Sequence, residues 1–134
     1  MKNTKKGFTL IELLVVIAII GLLSTLAVVA LNNARAKARD ARRVSDVKQI
    51  QTALELYAQD ANGYPTNLPS IGSAMVFSGN TYMGQRPGNP SPNGCDYSYS
   101  GGGSTYAITF CLESNVGGLS TASTIHTANQ NGIQ

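Results

Sequence analysis

Phe8-Thr-Leu-Ile-Glu-Leu-Leu-Val-Val-Ile-Ala-Ile-Ile-Gly-Leu-Leu-Ser-Thr-Leu-Ala-Val-Val-Ala-Leu31 is a run of 24 residues in which Glu12 carries the only charge. As a helix it spans about 36 Å, enough to cross a hydrocarbon core of about 30 Å. A carboxylate in such a segment costs about 2.5–3.5 kcal/mol at the bilayer centre and marks a functional site by default. A cation is expected to meet it. Ahead of the run lies a short basic leader, Met1-Lys-Asn-Thr-Lys-Lys-Gly7. Ala34-Arg35-Ala36 and Ala36-Lys37-Ala38 formally fit an ordinary secretory cleavage site, but the apolar part of such signals covers only about 7–15 residues.

Beyond Leu31 the helical pattern continues. Ala27, Ala30, Ala34, Ala38, Ala41 and Ser45 recur at steps of three and four, a small-residue face on which helices approach closely. Val44, Val47, Ile50 or Gln51, Leu54, Tyr57 or Ala58, and Ala61 form an amphipathic stripe suited to covering a sheet. Arg42 and Arg43 are each spaced to pair with Asp46. No Pro or Gly occurs between Gly21 and Asn62, so one helix is expected from about Phe8 to about Asn62, roughly 80 Å long. Asn62-Gly63-Tyr64-Pro65 supplies its stop, a residue tolerant of the left-handed conformation followed by a proline.

The remainder, Tyr64 to Gln134, is rich in Gly, Ser, Asn, Thr and Pro and predicts short strands and loops. Ala74–Phe77 and Thr81–Met83 are candidate strands. A hairpin is expected from Asp96–Ser100 and Thr105–Leu112 around Gly101-Gly102-Gly103-Ser104. In its second strand Tyr106, Ile108, Phe110 and Leu112 share one face and are core candidates. A turn centred on Gly103 would set Cys95 opposite Cys111, Tyr97 opposite Thr109 and Tyr99 opposite Ala107, a separation compatible with a disulfide. Closing that 17-residue loop would stabilise a small head by about 3 kcal/mol. From Glu113 onward the polar tail predicts no strand, and His126 reads as an ordinary tail residue.

The chain of 134 residues allows one small globular domain beside the N-terminal segment. Net charge is +3 and the pI near 9.0, which by themselves suggest a nucleic-acid partner. Lys2, Lys5 and Lys6 supply the whole excess. Without them seven basic side chains face seven acidic ones. Arg35 to Lys48 holds six basic residues against Asp40 and Asp46, but these acids interrupt the block and no aromatic residue lies within it. A solvated or inter-subunit helix face is therefore the better reading than a DNA or lipid-headgroup site. Cys95, Cys111 and His126 match no zinc spacing. No nucleophile-base pair, phosphate loop or carboxylate pair can be assembled, so no enzyme, cofactor or metal is expected.

Lys5-Lys6-Gly7-Phe8-Thr9-Leu10-Ile11-Glu12-Leu13-Leu14, followed by the apolar run to Gly21, closely resembles the N-terminus of bacterial type IV pilins and of type II secretion pseudopilins. The likeness covers the leader and the first helix. It implies an α+β pilin-like fold, a long N-terminal helix packed on a small antiparallel sheet. The implied parts are a leader over residues 1–7, a transmembrane and filament-core helix over 8–33, an amphipathic helix over 34–62 and a β-rich head over 63–134 with a Cys95–Cys111 disulfide.

The resemblance also implies processing. A prepilin peptidase would cut between Gly7 and Phe8 on the cytoplasmic side, where the leader lysines hold the site, and the new amine of Phe8 would be methylated. Gly7 lets a protease backbone come close. Cleavage creates the cation that Glu12 lacks, and in the family this carboxylate pairs with the amine of a neighbouring subunit. Implied partners are identical subunits, the peptidase, an inner-membrane platform protein and an assembly ATPase, with the chain passing from the inner membrane to a surface pilus. DNA is a further partner only if the chain is a minor pilin that captures DNA or a surface. Two departures stand out. Val28-Val29-Ala30 replaces the proline that many pilins carry there, and no Asp or Glu follows Glu113, so the calcium loop of major pseudopilins is not expected.

Overall fold

The computed structural model describes residues 7–92, 95–119 and 125–134. One α-helix, α1, runs from Leu10 to Ala61, 52 residues, preceded by Thr9 as its N-cap. Its C-terminus follows the expected chemistry. Asn62 takes the left-handed conformation (φ 55°) and the Gly63 N–H donates to Ala58 O at 3.2 Å, the bond that closes a Schellman cap. The chain divides into two units, one ending at Arg35 and the other running from Ala36 to Gln134.

In the first unit every described side chain is exposed, and α1 is long and apolar enough here to cross a membrane. Its two hydroxyls turn inward to the backbone. Ser24 Oγ donates to Ile20 O (2.7 Å) and Thr25 Oγ1 to Leu22 O (2.8 Å), so neither presents an unsatisfied donor to lipid.

The second unit is an α+β head. β1 (Met75–Phe77) and β2 (Asn80–Met83) form an antiparallel hairpin through Ser78-Gly79, both at positive φ, within one residue of the expected strands. β3 (Ser98–Gly102), β4 (Thr105–Cys111), β5 (Ile125–Asn129) and β6 (Gly132–Ile133) form an antiparallel sheet in chain order. Val47, Ile50, Ala53 and Leu54 of α1 share one core with Met75, Tyr97, Tyr106, Ile108, Phe110, Leu112 and Ala128. Alternate burial along β4 puts Tyr106, Ile108 and Phe110 inward, as period two requires.

The hairpin register differs from the expectation by one residue. Ser98 faces Thr109, Tyr99 faces Ile108 and Gly102 faces Thr105, leaving a two-residue turn of Gly103 and Ser104. Gly101 and Gly102 belong to the strand rather than the loop, and Gly103 (φ 61°) supplies the positive φ that the short turn needs. Cys95 lies before β3, outside the ladder, yet still meets Cys111 in a disulfide with Cα atoms 5.4 Å apart. A second correction concerns the tail. β5 and β6 lie after Glu113, pairing Phe110 with His126 and Ile108 with Ala128. His126 is buried with its ring 5.6 Å from that of Phe110, because β5 presents His126 and Ala128 to the core.

Candidate processing and assembly site

Helix initiation places Glu12. The Thr9 N–H and Oγ1–H both donate to Glu12 Oε2, at 2.8 and 2.6 Å, and the Glu12 N–H donates back to Thr9 Oγ1 at 3.3 Å. This is a capping box: the N-cap hydroxyl satisfies one orphan amide of the first turn and the N3 carboxylate another. Sequence reasoning singled out Glu12 but not Thr9, although Thr9-x-x-Glu12 is the pattern that announces such a cap. Both hydrogen bonds to the carboxylate use Oε2. Oε1 accepts none among the described residues.

Gly7 and Phe8 lie just outside the cap. Phe8 is 74% exposed, and a Cβ added at Gly7 would meet no atom within 4 Å. Phe8, Ile11, Val15 and Val16 line an open depression of about 370 Å³ that also takes in Glu12. The Glu12 carboxylate stands exposed beside apolar side chains that are exposed as well.

The other charged cluster lies in the head. Arg43 Nη1 donates to Asp40 Oδ1 (2.6 Å) and to Glu113 Oε1 (2.7 Å), Nε to Asn89 Oδ1 (2.7 Å) and Nη2 to Pro90 O (3.0 Å). Asp40 accepts from the Glu113 N–H and from both the N–H and hydroxyl of Ser114. Arg39 grips Glu113 through two parallel bonds, at 2.8 and 2.6 Å. Arg43 therefore turns to Asp40 and Glu113 rather than to Asp46, as the helical spacing had suggested. Asp46 accepts instead from the Tyr97 hydroxyl at 3.1 Å, and burial pushes its carboxyl above the ordinary range. Apart from the Arg43–Asp40 pair, which lies within α1, these contacts tie the helix to the segments around Asn89 and Ser114. No group of three His, Cys, Asp or Glu side chains is placed to hold a metal among the described residues.

At the end of α1, Glu55 accepts from the hydroxyls of Tyr64 (2.9 Å) and Tyr106 (3.4 Å), and Asp60 accepts from that of Tyr82. Tyr99, left open by its spacing, donates to Pro65 O at 2.7 Å and stacks near Tyr106. These tyrosines pack and cross-brace the head.

The prokaryotic N-terminal methylation motif matches residues 2–28. A fimbrial protein of Dichelobacter nodosus is 33% identical over 117 residues, covering 80% of this chain and 73% of that protein. Type II secretion system core protein G of Aeromonas hydrophila is 43% identical over 65 residues, 48% of this chain and 46% of that protein. Its counterpart in Escherichia coli K12 is 44% identical over 73 residues, 54% and 50%. The chain spans about half the length of these secretion core proteins. No solved structure matches it. A capped, exposed apolar helix with one carboxylate near its start, an α+β head and a fimbrial relative matched over most of both chains lead to one conclusion: the chain belongs to the type IV pilin and type II secretion pseudopilin family.

Proposed function

We propose that the chain is a structural subunit of a type IV pilus-like filament, not an enzyme. It is made as a precursor in the inner membrane, cut between Gly7 and Phe8 by a prepilin peptidase and methylated on the Phe8 amine. It then assembles with identical subunits into a surface fibre, with a platform protein and a cytoplasmic ATPase as assembly partners. Residues 1–7 are the leader, 8–33 the filament-core helix, and the amphipathic helix 34–62 with 63–134 the head.

The observation that carries this reading is Glu12. Its exposed carboxylate belongs to the fifth residue after the proposed cut, beside the exposed apolar side chains of Phe8, Ile11, Val15 and Val16, with Oε1 free of any hydrogen bond among the described residues. The amine released at Phe8 of a neighbouring copy supplies the missing cation, which explains why cleavage precedes assembly. N-terminal mass spectrometry of sheared fibres tests it: a chain beginning at methylated Phe8 is expected, and a mature terminus near Ala36 would refute it.

The secretion relatives favour a second reading, a short periplasmic pseudopilus. The match to the fimbrial protein extends into the head, while those to the secretion proteins cover about half the chain, which supports the pilus. Electron microscopy of sheared cells separates the two, since only the pilus predicts long surface fibres containing this chain.

A further inference from the structure

Beside the last turn of α1 three aromatic rings gather next to a carboxylate that meets no cation. Tyr57 and Asp60 lie one turn apart on the helix. Phe77 of β1 pairs with Asn80 of β2, and Tyr82 follows two residues later, so period two puts Phe77 and Tyr82 on one face of the hairpin. The Phe77 ring lies 5.1 Å from that of Tyr57 at 55°, and the Tyr82 ring 5.7 Å from it at 66°. Phe77 and Tyr82 make no ring contact with each other among the described residues. Two rings from the hairpin thus incline toward a third from the helix. All three keep accessible surface, and Phe77 is 36% exposed.

Asp60 is exposed as well, and the Tyr82 hydroxyl donates to its Oδ2. Oδ1 accepts no hydrogen bond, and neither oxygen forms an ion pair, among the described residues. A helix C-terminus disfavours an anion, and no basic residue stands in the last turn to offset it. Packing accounts for the contacts among the rings. It does not account for a carboxylate set against the helix dipole at their edge.

We infer that Tyr57, Phe77, Tyr82 and Asp60 bind a quaternary ammonium group, the methyl-clad cation carried by choline. Aromatic faces attract a cation held within about 6 Å of the ring centroid, and groups of such rings recognise quaternary ammonium in particular. A lysine ammonium is a strongly hydrated point charge that seeks several hydrogen-bond acceptors. A quaternary ammonium donates no hydrogen bond and covers the rings with its methyl groups. Asp60 supplies the opposite charge, and the Tyr82 hydroxyl holds that carboxylate in place. The site uses none of the residues assigned to processing or assembly, so it stands or falls apart from the filament reading.

Titration of the full chain in a detergent without choline, followed by the aromatic proton resonances, tests it. Choline and tetramethylammonium should shift the rings of Tyr57, Phe77 and Tyr82, with saturation in the millimolar range. Dimethylbutanol, the uncharged isostere of choline, should bind at least about tenfold more weakly. Asp60→Asn keeps an acceptor for Tyr82, and Phe77→Leu keeps an apolar side chain at an exposed position; each should weaken choline about tenfold at an unchanged thermal midpoint. The isostere comparison needs no variant and so does not depend on how the variants fold. Glycerophosphocholine separates two sources of the same group: affinity at least equal to that of choline assigns the site to a lipid headgroup, and lower affinity assigns it to a free cation. A response that fails to saturate, equal binding of the uncharged isostere, or undiminished binding by Asp60→Asn overturns the inference.

Discussion

Arg43 and Asp40, one helical turn apart, meet at 2.6 Å with both side chains fully excluded from solvent. A pair this deep in a small head is supported by further bonds: Arg43 Nε to Asn89, Nη2 to the Pro90 carbonyl, and Asp40 to the backbone and hydroxyl of Ser114.

Removing the cation should therefore be severe. Arg43→Ala leaves Asp40 uncompensated and is expected to destabilise the head by about 3–5 kcal/mol, a large part of the stability of a domain this size. Urea unfolding of the full chain in detergent, followed by tyrosine fluorescence, measures it.

A single substitution separates the capping role of Glu12 from its proposed role in assembly. Glu12→Gln keeps an acceptor for the Thr9 amide, and glutamine serves in capping boxes, so helix start, insertion and cleavage should persist. Fibre yield should collapse because the amine of Phe8 has no anion to meet. Normal fibres from this variant would remove Glu12 from assembly.

Thr9→Ala tests the cap by itself. A loss of about 1 kcal/mol is expected, confined to the first turn, and Thr9→Ser should restore it. Amide hydrogen exchange of Leu10 to Leu13 in micelles reads the difference.

Alkaline pH should loosen the head before it affects the apolar helix. Burial raises the phenols of Tyr64 and Tyr99 to about 12, with Glu55 adding to the effect at Tyr64. Their unfolded value is near 10, so the stabilisation is complete below pH 10 and is lost as pH rises toward 12. Unfolding midpoints should fall across that interval, and Tyr64→Phe should flatten part of the decline.

Cys95→Ser with Cys111→Ser should lower head stability by about 3 kcal/mol through the lost loop constraint. Thermal unfolding with and without reductant gives the same comparison in the unaltered chain.

Much of this fold is written in local patterns. Thr9-x-x-Glu12 and Asn62-Gly63 bound α1, and Tyr106, Ile108, Phe110 and Leu112 announce the core face of β4 and its end. The one-residue slip in register arose because three consecutive glycines carry no side chain to say which of them belong to the turn. β5 escaped notice because its buried positions are His126 and Ala128, which give no apolar alternation. Of Arg43's two carboxylate partners, Asp40 lies within a turn and was open to the same spacing rule that pointed to Asp46, whereas Glu113 lies 70 positions away, and helical spacing reports only neighbours within a turn. Of the proposed processing and assembly residues, Gly7, Phe8 and Glu12 were singled out by composition and likeness, whereas the capping of Glu12 by Thr9 required coordinates.

The knot at Asp40, Arg43 and Glu113 also has a mechanical meaning. A tensile load carried along α1 reaches the head at these residues before it reaches the apolar layer of Val47, Ile50 and Leu54. Apolar contacts slide under shear, whereas a guanidinium held by two carboxylates, an amide and a carbonyl resists displacement in several directions at once. Within the head, the loops are thus tied to α1 ahead of the first residues of its apolar layer.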